Sequence, residues 1–234
     1  MLVDLTVKEF LNKVAGSDPV PGGGSIAALN GAIASALAAM VANLTIGKKG
    51  YELHEELMRH ISGVALQQKG AFVEDIDRDS EAYDKVFACF KMPKATDEEK
   101  AARSTAIQEA TKFAALVPMQ VARNAYELMT VIMDVARLGN RNAVTDACVA
   151  MMSARSAVLG ALMNVRINLG SLKDKEFVSK LQVKPTNWNT WLVRKKRNCW
   201  TNQSRAESMN NVYYVGSGEL TFDLIERIIN ENLK

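Results

Sequence analysis

Apolar residues recur at three- and four-residue spacing through most of the first 183 positions, and no stretch there alternates with the period of a strand. Thr6 and Glu9 have capping-box spacing and open a short helix. Glycines and prolines interrupt the chain from Gly16 to Gly24. Ser25 then reads as the N-cap of an uncharged helix that runs to about Ile46, and Gly47 to Gly50 form a turn. A long, charged, amphipathic helix is predicted from about Tyr51 to Cys89, followed by a loop holding Lys91, Pro93 and Lys94. Thr96 and Glu99 make a second capping box, and the helix they open should kink at Pro118 and end near Gly139. The last long helix covers about Ala143 to Leu169. Long helices joined by short turns predict an all-α antiparallel bundle.

Composition supports this picture. The chain has 234 residues, 48% hydrophobic and 24% charged, which suits one substantial globular core. Aromatic residues are only 6%, while alanine and the 11 methionines are plentiful, a mixture that favours close-packed helices. Cys89, Cys148 and Cys199 are far apart and odd in number, so they give neither a disulfide framework nor zinc spacing. A reducing compartment follows; with no basic and apolar leader in MLVDLTVKEF, the expectation is cytoplasmic. The net charge of +3 is confined to the end of the chain. Residues 184–234 hold eight Lys or Arg against five Asp or Glu, and residues 1–183 hold 21 of each sign. The predicted core is therefore neutral, and no nucleic-acid partner is expected.

The stretch PVPGGGSIAALNGAIASALAAMVANLTIGKKG, residues 19–50, admits three readings. It carries no charge between Asp18 and Lys48 and is long enough to span a bilayer. Its apolar content is mostly alanine, interrupted by Asn30, Ser35, Asn43 and Thr45, so a buried central helix is expected and not a membrane span. Gly22, Gly24 and Ala27 spell a dinucleotide fingerprint by letter, but no strand precedes them and no acidic residue follows at the ribose position. In the third reading Gly22, Gly23, Gly24 and Ser25 bring backbone amides at a helix start close to an anionic or carboxylate-bearing ligand. The alternative is a glycine turn that only lets helices pack.

Five ordered segments narrow the choice: residues 19–52, DRDSEAYDKVFACFKMPK, EEKAARSTAIQEAT, GNRNAVTDACVA and NVRINLGSLKD. Together they resemble the formimidoyltetrahydrofolate cyclodeaminase and methenyltetrahydrofolate cyclohydrolase family over residues 1 to about 183. The resemblance implies an all-helical homodimer and a tetrahydrofolate substrate. In cyclodeamination, N10 of 5-formimidoyltetrahydrofolate attacks the formimidoyl carbon and ammonia leaves, giving the 5,10-methenyl cation. The cyclohydrolase adds water to that cation and opens it to 10-formyltetrahydrofolate. Either route needs a base, an acid for the leaving nitrogen, and negative potential beside a delocalised cation. No metal, nucleophilic side chain or cofactor beyond the tetrahydrofolate substrate is called for.

Carboxylates at helical spacing suit that chemistry. Asp75, Asp79 and Tyr83 lie at i, i+4 and i+8 on the long third helix. Asp79 reads as acid/base or cation stabiliser with Tyr83 as its hydrogen-bond partner, or else as part of a solvated acidic face, which is the expectation for Asp75. Asn142, Asp146, Ser153, Asn164 and Asn168 make a polar stripe on an otherwise apolar helix. Asp146 is the expected partner for pterin recognition or proton transfer; Asn142, Asn164 and Asn168 either bind the pterin edge or join an interhelical network. Lys91 and Lys94 offer point charges to the glutamate carboxylates of folate, or are ordinary surface lysines. His54 and His60, six apart, read as surface residues.

Residues 184–234 depart from the family pattern. All three tryptophans of the chain lie in KPTNWNTWLVRKKRNCWTNQSRAES. Read two bases later in each codon, Asn187–Trp188, Asn198–Cys199 and Cys199–Trp200 must each give Leu, Trp188–Asn189 must give Glu, and Trp200–Thr201 must give Asp. A permitted reading is an amphipathic helix. The expectation is a frameshift near Val183, with read-through from Met209 into a segment that weakly resembles the start of a histidine ammonia-lyase. A histidine-degradation neighbour favours the cyclodeaminase. Conventional codons in an intact reading frame through Ser208 would reject this.

Overall fold

A computed structural model describes residues 1–181, which all fall in one compact unit. The expectations for residues 184–234 lie outside the described residues. Among those described there is no strand; six α-helices follow one another: α1 (Val7–Val14), α2 (Gly23–Asn43), α3 (Glu55–Phe90), α4 (Asp97–Leu138), α5 (Val144–Leu169) and α6 (Lys175–Leu181). Short 3-10 turns at Leu2–Asp4, Glu52–His54 and Arg141–Ala143 trim the predicted starts of α3 and α5.

Both predicted capping boxes form. Thr6 accepts from the Glu9 amide while Glu9 accepts from the Thr6 amide, and Thr96 and Glu99 repeat the exchange. The start of α2 differs from expectation. Its N-cap is Gly22, not Ser25, and Ser25 lies inside the first turn with its side chain turned into the fold. The glycines can carry the helix start because no side chain is needed there, which releases Ser25 for a contact with α3.

Four long helices make the core. α2 packs on α3, α4 and α5; α3 packs on α4, and α4 on α5. Printed contacts fix their directions. Ser25 meets Ile76 while Asn43 meets Ser62, so α2 and α3 run opposite ways. Phe90 meets Arg103 while Lys85 meets Phe113, so α3 and α4 do the same. Ala27 faces Gly160, and the end of α2 meets Asn140 just before α5.

Small residues set these distances. On α2, Ala28, Ala34, Ala38 and Ala42 are fully buried. A Cβ on Gly31 would lie 2.6 Å from Cδ1 of the buried Phe72 ring, so the ring of α3 occupies the space of the missing side chain. By length and composition α2 and the segment Arg141–Leu169 are each apolar enough to cross a membrane. Here the apolar window of α2 is 61% buried, and the helix serves as the centre of the bundle.

Pro118 lies within the continuous α4, which is not interrupted there. Proline has no amide proton, so the Ala114 carbonyl four residues earlier loses its helical donor. The Asn168 side chain supplies one: its Nδ2 donates to the Ala114 oxygen at 2.8 Å, and also to the Asn164 oxygen of its own helix at 3.0 Å. A break in one helix is thus repaired from its neighbour.

Candidate active site

Asp79 is held where α3 crosses the glycine start of α2. Ser25 Oγ lies 3.1 Å from Asp79 Oδ2, 3.0 Å from the Ile76 carbonyl and 3.2 Å from Ser80 Oγ. The hydroxyl has one proton for several acceptors. It donates to an ionised Asp79, or donates to Ile76 while a protonated Asp79 donates back to it. The pocket thus satisfies either state of the carboxyl. Gly24 is what makes the approach possible: a Cβ there would collide with the Asp79 carboxyl group.

Burial pushes the Asp79 carboxyl above its ordinary range, against the opposing pull of the Ser25 hydroxyl and backbone amide. The start of α2 also favours a negative charge. Desolvation outweighs both. A carboxyl with this balance keeps its proton to higher pH than an exposed one.

The other expected residues distribute as follows. Tyr83, one turn along, is exposed and its ring stacks on Phe87 at 6.2 Å between centroids; among the described residues no hydrogen bond links it to Asp79. Gly23 brings Asn164 to the same corner, since a Cβ on Gly23 would sit 3.3 Å from Asn164 Nδ2. Asn164 donates to the Gly160 carbonyl of its own helix, with its Nδ2 nearer Gly23 than its oxygen. Asn168 takes the interhelical alternative, its amide committed to α4. Lys91 and Lys94 are exposed, at the end of α3 and in the loop beyond.

Asn142 and Asp146 do not join this group within one chain. Asn164 lies level with Gly23, and Asp146 lies 18 residues earlier on α5, about 27 Å away at the helical rise. Asn142 is exposed in the 3-10 turn, and Asp146 is half-buried near that opposite end. His60 is exposed and His54 half-buried at the start of α3. Among the described residues no group of three or more His, Cys, Asp or Glu side chains gathers as metal ligands.

Three acidic or polar contacts escaped the sequence reading. Asp75 is not on a solvated face: it is 1% exposed, pairs with Arg78 at 2.7 Å, and burial raises its carboxyl against that pairing. The face it shares with Phe72 and Ile76 turns inward, a rotation that the mixed charges around it concealed. Asp77 accepts the Leu2 amide at 2.6 Å and ties the chain start to α3. Ser80 completes the hydroxyl pair with Ser25; its place in DRDSEAY was the only available signal.

The family model described as formiminotransferase-cyclodeaminase matches residues 6–186. The chain belongs to this family. A methenyltetrahydrofolate cyclohydrolase of Methylorubrum extorquens is 41% identical over 179 residues, 75% of this chain and 84% of that protein. A formimidoyltransferase-cyclodeaminase of Rattus norvegicus is 31% identical over 179 residues, which span 76% of this chain but only 33% of the rat protein. Among solved structures, a formiminotetrahydrofolate cyclodeaminase of Thermotoga maritima superposes with a TM-score of 0.72 at 30% identity, covering 88% of this chain and 97% of that one. Membership in the family, an enzyme class acting on folates, and an all-helical fold are thereby shown; the relatives divide between the two reactions.

Proposed function

We propose that the chain cyclises 5-formimidoyltetrahydrofolate to the 5,10-methenyl cation with release of ammonia, using Asp79 as the proton carrier. The carrying observation is a half-sunk carboxyl of raised affinity for protons, held by the Ser25 hydroxyl against a glycine helix start. As N10 attacks the carbon of the protonated formimidoyl group (–CH=NH2+), Asp79 takes the N10 proton and returns it to the resulting amino group, which leaves as NH3. The cation that forms is left beside the ionised carboxylate, which stabilises it. Ser25 holds the carboxyl in line, and the Asn164 amide oxygen is available to a pterin N–H. Lys91 and Lys94 serve the glutamate carboxylates.

The second reading is hydrolysis of the 5,10-methenyl cation to 10-formyltetrahydrofolate, favoured by the 41% identical relative of similar extent. Asp79 would then deprotonate the attacking water. The first reading is supported by the histidine ammonia-lyase-like residues after Met209. Purified protein offered each substrate separately decides: ammonia release supports cyclodeamination, loss of methenyl absorbance without ammonia supports hydrolysis, and neither overturns the enzymatic reading.

A role for Asp146 and Asn142 on the same substrate requires a second copy of the chain laid head to tail, and the homodimer is proposed in that form. It would set the Asp146 end of one protomer against the Asp79 end of its partner.

A further inference from the structure

We propose that the exposed ridge of α3 running from Asp79 through Tyr83 and Phe87 to Lys91 is a measuring platform for the p-aminobenzoylglutamate arm of the substrate. This rests on the folate reading of the Asp79 site. Asp79, Tyr83 and Phe87 fall at i, i+4 and i+8 on α3, and Lys91, its C-cap in αR geometry, continues the spacing, so they form a single ridge. Tyr83 and Phe87 are 39% and 48% exposed, large apolar surfaces that a soluble helix does not ordinarily place side by side without use. Their rings lie 15° from parallel, which gives one shelf in place of two independent side chains. Neither ring is taken up by the core, whose small cluster on this side uses Ala82, Val86, Phe113, Ala114 and Val117 instead.

Charge and length fit the same occupant. Lys91 folds back so that its Nζ lies 4.4 Å from the Phe87 ring centroid. The cation is therefore level with Phe87, eight residues or about 12 Å beyond Asp79. An aminobenzoyl ring with its amide and the first carbons of glutamate spans roughly 10 Å on standard bond lengths. With the reacting carbon at Asp79, the aromatic ring lies over the Tyr83–Phe87 shelf and the glutamate carboxylates reach Lys91. Tyr83 is assigned here as a stacking surface, in place of the hydrogen-bond role that its spacing from Asp79 suggested.

The test pairs the intact substrate with its tetrahydropteroate counterpart, which lacks glutamate. Wild-type protein should show KM about tenfold lower for the glutamate-bearing substrate with similar kcat. Lys91→Gln should erase that preference by raising KM for the glutamate-bearing substrate to that of the pteroate. Phe87→Ala should raise KM for both substrates by about three- to tenfold, the range expected of an aromatic contact, with kcat held. Phe87 and Lys91 are exposed, so both variants should fold, and circular dichroism checks this. Unchanged KM in both variants, with wild-type turnover intact, overturns the platform and leaves the folate reading standing. Failure of wild-type protein to bind or turn over any tetrahydrofolate overturns the folate reading itself, and the platform with it.

Discussion

Replacing Gly24 by alanine separates the position of the Asp79 carboxyl from its chemistry. The new methyl group would overlap the carboxyl, which must move by more than about 1 Å to regain ordinary van der Waals separation. A displacement of that size at a reacting group costs on the order of a hundredfold in rate. The stability cost is smaller. Overpacking costs about 1–3 kcal/mol, and alanine returns up to about 1 kcal/mol over glycine in a helix. The net is about 0–3 kcal/mol, or a melting temperature lower by roughly 0–12 °C for a domain of this size. Gly70→Ala is the matched control, since a Cβ there meets nothing within 4 Å. It should gain about 0.5–1 kcal/mol and keep full activity. Folate turnover and thermal melts on both variants measure the two effects. If Gly24→Ala keeps turnover within about twofold of wild type, the glycine notch does not position the reacting group, and the argument for Asp79 fails.

Asp79→Asn should lose about two to four orders of magnitude in turnover while raising the melting temperature at neutral pH. The sign follows from burial: the fold prefers the protonated carboxyl, so ionisation costs stability as pH rises from 3.8 through the raised folded value. The gain should vanish in melts run below pH 3.8, and an equal gain at both pH values would contradict the assignment. The same carboxyl should place the acid limb of the wild-type kcat/KM profile above the ordinary carboxylate range. Asn168→Ala should cost about 1–3 kcal/mol by stripping the donor from the Ala114 carbonyl. Adding Pro118→Ala should recover most of this by restoring the helical amide; simple additivity in denaturant titrations would refute the repair. Mixing inactive Asp79→Asn with inactive Asp146→Asn protein should regain activity if two chains build one site. Full activity of Asp146→Asn alone would remove that residue from the chemistry.

The helices were legible because their punctuation is local. Two capping boxes, a glycine turn and Pro93 mark boundaries without knowledge of any distant residue. The partner of Pro118 was not legible for the complementary reason: the donor to the Ala114 carbonyl is Asn168, 50 positions from the proline, which no window around it contains. Ser25 was assigned to the wrong task because a serine at a helix start ordinarily caps its own backbone. Here Gly22 takes the cap position, and the serine reaches across to α3.

The acidic run on α3 shows where sequence reasoning stops. Glu74, Asp75, Asp77, Asp79 and Glu81 look alike by letter and share one helix. The fold gives three of them different work. Asp75 is sealed against Arg78, Asp77 anchors the Leu2 amide, and Asp79 accepts from Ser25 at the edge of solvent. Helical phase alone cannot sort them, because Asp75 and Asp79 lie one turn apart on nearly the same face. What distinguishes Asp79 is an absence on the opposite helix. Where Gly24 has no side chain, one carboxyl can enter the helix start and remain within reach of a ligand. A larger residue at Gly24 would keep Asp79 out of the helix start and remove the burial there that raises its proton affinity. The glycine run and the acidic run, separate motifs in the sequence, are therefore two halves of a single site.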